Sequence, residues 1–345
     1  MLPEKNRFTD ISRFPHGFPY ISGPMEIPNE EYHNGEKYSA FISSTGLKQY
    51  LKSPLWFKHA IDNKVGGIGK EAQVVGNAYH DLLASYTNTG SDEWFMENYV
   101  LFKEPINSNT GKPYGMHTDT YKKLELEQKE LNPGKELITQ FTFDNTQTMV
   151  NHLLYGSREN SKDIRMFLKY GKAERSYFCE YEGAYFKFRK DLGTRKKIID
   201  WKTISADNLH ENTIRKQITN YKYDISAAFY QFFDHIITGT WKEFYWVFQQ
   251  KEAPYDFVIV DASPYTYAFA NELINGKREK IITDVNIGAR KFHALLEQHI
   301  HCVEEGYWPG AAIFIQEETF GPQKGKRIMK PEIPFYENKD IVFYN

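Results

Sequence analysis

Apolar residues along this chain change their spacing near residue 174, from a helical period to a strand period. Before that point Val74, Val75, Ala78, Leu82 and Leu83 recur close to the i, i+3, i+4, i+7 spacing of an amphipathic helix, which predicts a helix over 71–85 carrying His80. Ser43 and Ser44 are candidate N-caps for a short helix reaching Lys52. Ser53-Pro54 ends that helix and starts a second one on Leu55, Trp56 and Phe57. The stretch 104–116, rich in Asn, Gly and Pro, reads as a loop; 119–131 reads as a charged helix, and 146–155 and 161–170 as further helices. Residues 1–40, weakly periodic and punctuated by Pro and Gly, read as an irregular lead-in.

From 174 to 203 the period falls to two. Tyr177, Phe178, Tyr181, Tyr185, Phe186 and Phe188 favour strand, with turns at Glu182-Gly183 and at 193–196, so the stretch predicts a three-stranded antiparallel meander. Residues 213–238 return to helix, with Tyr223, Ser226, Tyr230 and Phe233 along one face. Two more strands, 242–248 and 257–261, flank a Lys-Glu-Ala-Pro turn. Ser263-Pro264 then opens what reads as one long helix to about residue 305, and the tail beyond Trp308-Pro309-Gly310 reads as loop. This order predicts an α+β fold, a mixed central β-sheet flanked by helices. The expected organisation is a lead-in over 1–40, one domain over 41–310 with a helical N-terminal elaboration, and a tail over 311–345 packed on the core.

Composition narrows the function classes. The chain has 345 residues, 41% hydrophobic and 26% charged, and no apolar run approaches the length needed to span a bilayer. Its N-terminus lacks the apolar stretch of a secretory signal, so the expected location is cytoplasmic. Cys179 and Cys302 are the only cysteines, too few for a disulfide framework, a Cys-rich zinc site or a four-Cys cluster. The net charge of −2 argues against a global field for nucleic acid, so phosphate binding would have to come from local groups such as Arg195, Lys196 and Lys197, or Arg215, Lys216 and Lys222.

The candidate chemistry sits on the meander. Residues two apart on a strand share a face, so Asp200 and Lys202 project together, and a hairpin through Gly193 brings Asp191 across from Asp200. Two carboxylates and an ammonium at one point suit a hard cation such as Mg2+ or Mn2+ acting on a phosphate, with Lys202 orienting water or offsetting charge. By the same alternation, Lys187 and Arg189 share the face of Asp191 and are candidates to touch DNA phosphates. The bland alternative is a strand end with a solvated salt bridge. Against it stands Ile198-Ile199, which makes Asp200 follow directly on a buried strand, where an unpaired carboxylate is costly. His80 alone would read as an ordinary helical histidine, and Tyr230, among Phe229, Phe232 and Phe233, fits core as well as site. His293, His299 and His301, with no carboxylate pattern beside them, read as surface residues.

Four stretches occur in order: 174–178 (Glu-Arg-Ser-Tyr-Phe), 187–191 (Lys-Phe-Arg-Lys-Asp), 198–203 (Ile-Ile-Asp-Trp-Lys-Thr) and 221–230 (Tyr-Lys-Tyr-Asp-Ile-Ser-Ala-Ala-Phe-Tyr). Upstream stand Gly76 and His80 in a Gly-x-x-x-His spacing, and Ser43-Ser44 with Ser53-Pro54. This ordered set, over about residues 40–235 and with Trp308-Pro309-Gly310 as a further point of likeness, resembles the PD-(D/E)XK nucleases of the exonuclease VIII (RecE), λ-exonuclease and RecB-like type. The resemblance implies Asp191 and Asp200 as metal ligands, His80 and the backbone carbonyl of Trp201 as further ligands, and Lys202 as the catalytic lysine. It adds Glu174 and Tyr230 to the catalytic residues, matching Glu174 to an acidic position before the first strand and Tyr230 to the Tyr of a Gln-x-x-x-Tyr motif. There the sequence departs from the pattern, because Ser226 stands in place of Gln.

In function, the resemblance implies a metal-dependent exonuclease acting on double-stranded DNA ends, in phage-type recombination and repair, working beside a single-strand annealing protein and assembling as a homo-oligomeric ring. Two other readings share the fold: an endonuclease or RecB-like helicase-associated nuclease, and a catalytically silent DNA-binding or partner-recruiting module. No G-x-x-x-x-G-K-[ST] loop is present, so a helicase would be a separate subunit.

Overall fold

The computed structural model describes residues 21–63, 70–157, 159–274 and 277–310. The expected tail over 311–345 and the first half of the lead-in lie outside them. The second half of the lead-in is not irregular: Ile21–Met25 forms strand β1 and Asn29–Asn34 helix α1, followed by a 3-10 turn at Glu36–Tyr38. Strand β1 gains its place by pairing with a later strand, with Ile21 opposite Cys179, which no local periodicity announces.

Ser43 and Ser53 cap the two short helices that come next. Ser43 Oγ accepts the Gly46 N–H at the start of α2 (Ser44–Leu47), and Ser53 Oγ accepts the Trp56 N–H at the start of α3 (Pro54–Asp62), with a 3-10 turn at Lys48–Leu51 between them. Beyond them lie α4 (Lys70–Thr89), α5 (Glu93–Asn98), strand β2 (Tyr99–Phe102), α6 (Asp119–Leu131), strand β3 (Glu136–Thr139), α7 (Gln140–Tyr155) and α8 (Asn160–Tyr170). Strands β2 and β3 form a small parallel pair too short for the sequence to show.

The meander is β4 (Lys172–Tyr181), β5 (Ala184–Gly193) and β6 (Lys197–Ile204). Glu182 and Gly183 turn at φ 49° and 76°, both left-handed, as a two-residue hairpin with the strands' own twist requires. The predicted helix over 213–238 is two helices, α9 (Glu211–Tyr221) and α10 (Tyr223–Thr238), because Lys222 adopts φ 55°, ψ 44° and redirects the chain. They form the crossover between β6 and β7 (Glu243–Gln250), which are parallel; β8 (Phe257–Asp261) then returns antiparallel. The long helix expected from residue 263 begins only at Ile287. Before it, β9 (Tyr267–Ile274) and β10 (Lys277–Val285) pair as a hairpin, and α11 spans Ile287–Glu305. Asn275-Gly276 in the sequence, between alternating residues such as Tyr267, Phe269 and Ile282, is the hairpin signal that should have divided that stretch.

The described residues form an α+β architecture around a six-stranded mixed sheet in the order β1-β4-β5-β6-β7-β8. One core packs α4, α7 and α8 on the sheet through Leu82, Leu83, Val150, Leu153, Ile199 and Trp201. Another packs α10 and α11 through Phe186, Phe188, Phe229, Phe233, Phe292 and Leu296. Among the described residues no helix is long and apolar enough to cross a membrane.

The three histidines of α11 do not behave alike. His301 is exposed, as expected, but His299 is 1% exposed and Nδ1 shares a 2.9 Å hydrogen bond with the Tyr50 hydroxyl; His293 is half-buried and shares one of 2.9 Å with Tyr267. Their positions on the inner stripe of α11 explain the difference, since the stripe carries Leu295 and Leu296 into the same core. Both cysteines are buried free thiols.

Candidate active site

The site grows from a fork in the sheet. Strands β5 and β6 pair at Gly193–Ile198 and Leu192–Ile199, and pairing ends there. Beyond it Asp191 Oδ2 accepts the backbone N–H of Trp201 at 2.8 Å, so a side chain takes over where the ladder stops. Asp200 is directed into the same opening and its Oδ2 meets Lys202 Nζ at 2.6 Å, as same-face alternation on β6 requires. Trp201, between them, is buried in the α4-side core and anchors the strand.

Helix α4 supplies the histidine. Tyr79 donates its hydroxyl to Gln249 Oε1 at 2.6 Å, and Gln249 donates its amide to Met149 O at 2.8 Å, which fixes α4 against β7 and α7. The next residue, His80, faces the fork: Nε2 lies 3.0 Å from Trp201 O and Nδ1 3.5 Å from Asp191 Oδ2. With Nε2–H donating to the carbonyl, the Nδ1 lone pair faces the carboxylate. Burial, and then the Lys202 charge, push His80 down to about 4, so the imidazole is neutral.

Glu174 joins them through a strained backbone. Its φ of 53° lies in the left-handed region, which costs a residue with a Cβ about 1 kcal/mol or more. Ligand atoms of His80, Glu174 and Asp191 lie within 4.8 Å of one another. Asp200 stands beside this group rather than within it, engaged with Lys202. The sequence expectation places Glu174 among the catalytic residues and Asp200 among the metal ligands; the geometry groups the Glu174 carboxylate with the His80 imidazole and the Asp191 carboxylate.

Electrostatics makes the cluster costly. Burial raises Asp191; it raises Asp200 to about 6 and Glu174 well above the carboxylate range, where the Asp191 charge adds to the effect. Burial pulls Lys202 down, but the charges of Asp200 and Asp191 more than offset it, and the amine ends above its ordinary value. Three carboxyl groups thus share few positive partners: Lys202, and Arg189 at 4.0 Å from Glu174. A divalent cation would supply the missing charge, and oxygens plus one neutral imidazole suit Mg2+ or Mn2+. The donor set fits.

The other candidates separate. Lys187 does not reach toward solvent: its amine donates to Tyr32 O at 2.7 Å and is pushed down to about 8 by burial. Arg189 likewise turns inward, donating to Ile27 O at 2.7 Å and Ser176 Oγ at 2.9 Å. Both hold α1 and the preceding chain onto the sheet, so the expected phosphate contacts from these two are corrected. Tyr230 packs on Phe188, Phe229 and Phe244, and its hydroxyl, raised well above its usual range by burial, also feels Asp200, Asp191 and Glu174. Core and site meet in that residue. Ser226, half-buried on the same helix, stands where a longer amide would extend.

One neighbour escaped the sequence reading. Lys48, just after α2, donates to Tyr221 O at 3.2 Å; burial and then the Lys202 charge push its amine down to about 8. No local signal in the sequence marks it, because its partner Tyr221 lies 173 residues away.

A family model described as a PDDEXK-like domain of unknown function (DUF3799) matches residues 43–291. No curated protein gives a significant match. A crystal structure from Eubacterium rectale, described as a candidate exonuclease, is 14% identical, with a TM-score of 0.47 over 92% of this chain and 100% of that one. With the family match spanning most of its length, this chain belongs to the PDDEXK-like family DUF3799.

Proposed function

We propose that the protein is a metal-dependent deoxyribonuclease that hydrolyses phosphodiester bonds at the ends of duplex DNA. The carrying observation is the fork itself: Asp191, Asp200, Glu174 and neutral His80 converge beside one protonated lysine, as buried carboxyl groups whose ionised forms a divalent cation would stabilise, and a cation so held would in turn draw a phosphate. His80, Glu174 and Asp191 would hold the ion, with Asp200 and the Trp201 carbonyl next to them. A hard cation so held supplies Lewis-acid polarisation of the phosphate and a more acidic water. Lys202, held 2.6 Å from Asp200, presents a fixed ammonium that donates to a phosphate oxygen or orients the attacking water. The Trp201 backbone N–H holds Asp191 in register, and Tyr230, packed on Phe188 and Phe244, stands near enough to feel the carboxylate charges.

A role in strand-annealing recombination, beside an annealing protein, is part of the same proposal. So is a ring of subunits, since a chain of net charge −2 holds DNA better when basic residues from several copies face one channel. The test is incubation of purified protein with linear and with nicked-circular duplex in Mg2+, against Asp200→Ala. Digestion of linear DNA that disappears in the variant is the expected result. No digestion by either protein, with DNA binding intact, would establish the silent module that Ser226 keeps in play.

A further inference from the structure

Beside Lys202 lies a group of residues that the hydrolytic chemistry does not use. Lys202 Nζ sits 5.1 Å from the ring centroid of Tyr223, and Tyr223 stacks on Tyr221 at 5.5 Å with an interplanar angle of 17°. Tyr221 is 52% exposed, so this nearly parallel pair reaches the surface at its Tyr221 end. Lys222, between them, carries the left-handed backbone that divides α9 from α10, although no Gly or Pro in 213–238 demands a break. A side chain is disfavoured in that conformation, and such outliers gather at functional sites. Here the turn sets the two rings side by side and directs the Tyr221 carbonyl to Lys48 Nζ at 3.2 Å, an amine with donors left over.

We propose that Tyr221 and Tyr223 form a stacking platform for an unpaired nucleobase at a DNA end, with the Lys48 amine beside it for the adjoining phosphate. The proposal rests on the nuclease reading and deepens it by naming the substrate class: a terminus with single-stranded character. Bases inside an intact duplex have both faces covered by their neighbours and a blunt end opens only the outer face of its last pair, whereas an unpaired base can swing away from the helix and offer a whole face to a tyrosine. Stacking of this kind tolerates any base, since each has a π face. The charge on Lys202, over the Tyr223 ring of the stack, ties the platform to the Asp200 side of the fork.

Binding of the full chain to blunt duplex and to duplexes with a short 5′ or 3′ overhang, in Ca2+ to prevent hydrolysis, reads this directly. A 2-aminopurine placed in the overhang reports the stack by its quenching. The wild type is expected to prefer an overhang of one polarity and to quench the probe. Tyr221→Ala should weaken overhang binding about tenfold and abolish the quenching, and Tyr221→Phe, which keeps the ring, should restore both. A melting curve of Tyr221→Ala matching the wild type shows that the fold is intact, as the exposed ring leads one to expect. Equal overhang binding and quenching by Tyr221→Ala and wild type overturns the platform, as does a wild type that treats blunt and overhanging ends alike while still digesting linear DNA through Asp200. A wild type that neither binds nor cuts any of the duplexes removes the nuclease reading itself, and the platform with it.

Discussion

Asp191 Oδ2 accepts the Trp201 backbone N–H at 2.8 Å, and this single contact stands where the pairing of β5 with β6 gives out. It holds one carboxylate oxygen in place, with the Asp200 carboxyl within hydrogen-bond reach of the same side chain. Because Nδ1 of His80 lies 3.5 Å from that same oxygen, the arrangement is strained in electrostatic terms unless a positive charge is nearby.

Cation binding should therefore show as stability. Mn2+ or Mg2+ at a hundredfold over its dissociation constant should stabilise the wild type by about 2.7 kcal/mol. Glu174→Gln and Asp191→Ala should lose that gain. Thermal unfolding with and without metal measures it without reference to activity, and a full shift in Glu174→Gln would remove Glu174 from the ligand set.

Lys202→Met should lower kcat roughly a hundredfold or more while leaving DNA affinity in Ca2+ nearly unchanged, because the ammonium acts on charge that develops during hydrolysis. Single-turnover cleavage set against equilibrium binding separates the two. A fall in affinity alone would make Lys202 a mere phosphate contact.

Asp234 joins two lysines inside the core. It is 0% exposed, pairs with Lys190 (1% exposed), and its Oδ2 lies 2.9 Å from Lys242 Nζ. Asp234→Ala would strand both ammonium groups away from water and should cost about 3–5 kcal/mol in urea unfolding.

At the start of α11 a Cβ on Gly288 would fall 2.6 Å from Asp224 Cβ and 2.6 Å from Tyr265 O, neither of which can swing away. Gly288→Ala should destabilise by about 1–3 kcal/mol, through displacement of α11 from α10. Gly76→Ala is the contrast. Its Cβ would meet only Thr203 Oγ1, at 3.9 Å, and better helix propensity should leave the melting temperature unchanged or higher.

His299 sets a pH dependence. It is enclosed by Tyr50, Phe57 and Phe186, and burial lowers its pKa from 6.5 to about 3. As pH falls below 6.5 the unfolded chain takes up a proton that the folded one refuses, so stability is lost on acidification and the effect vanishes above that value. From pH 6.5 to about 5 the loss should be about 2 kcal/mol in the wild type and absent from the same interval's difference in His299→Gln. Denaturant titrations at both pH values check it; other titrating groups contribute equally to both proteins and cancel.

Much of the fold and of the site was legible in the residues. The alternation of Asp200 with Lys202, the Glu182-Gly183 turn, the Ser43 and Ser53 caps and the helical spacing that carries His80 are local regularities, decided by backbone geometry within a few residues. The hairpin of β9 and β10 was legible too, in Asn275-Gly276, but a helical start signal at Ser263-Pro264 outweighed it.

What remained belonged to partners distant in the chain. Strand β1 exists because β4 offers it an edge, and Lys187 and Arg189 are spent on Tyr32 and Ile27, 155 and 162 residues away, so alternation on β5 could assign them a face but not an occupant. Glu174 reaches the histidine only through a left-handed φ that no composition rule predicts, and His299 is buried because a whole helix turns its apolar stripe inward. Sequence by itself determined the periods, the turns and which acid and amine share a strand, since these depend on neighbours in the chain. Tertiary structure alone decided which charges are buried together, because burial and electrostatic coupling depend on distance in space.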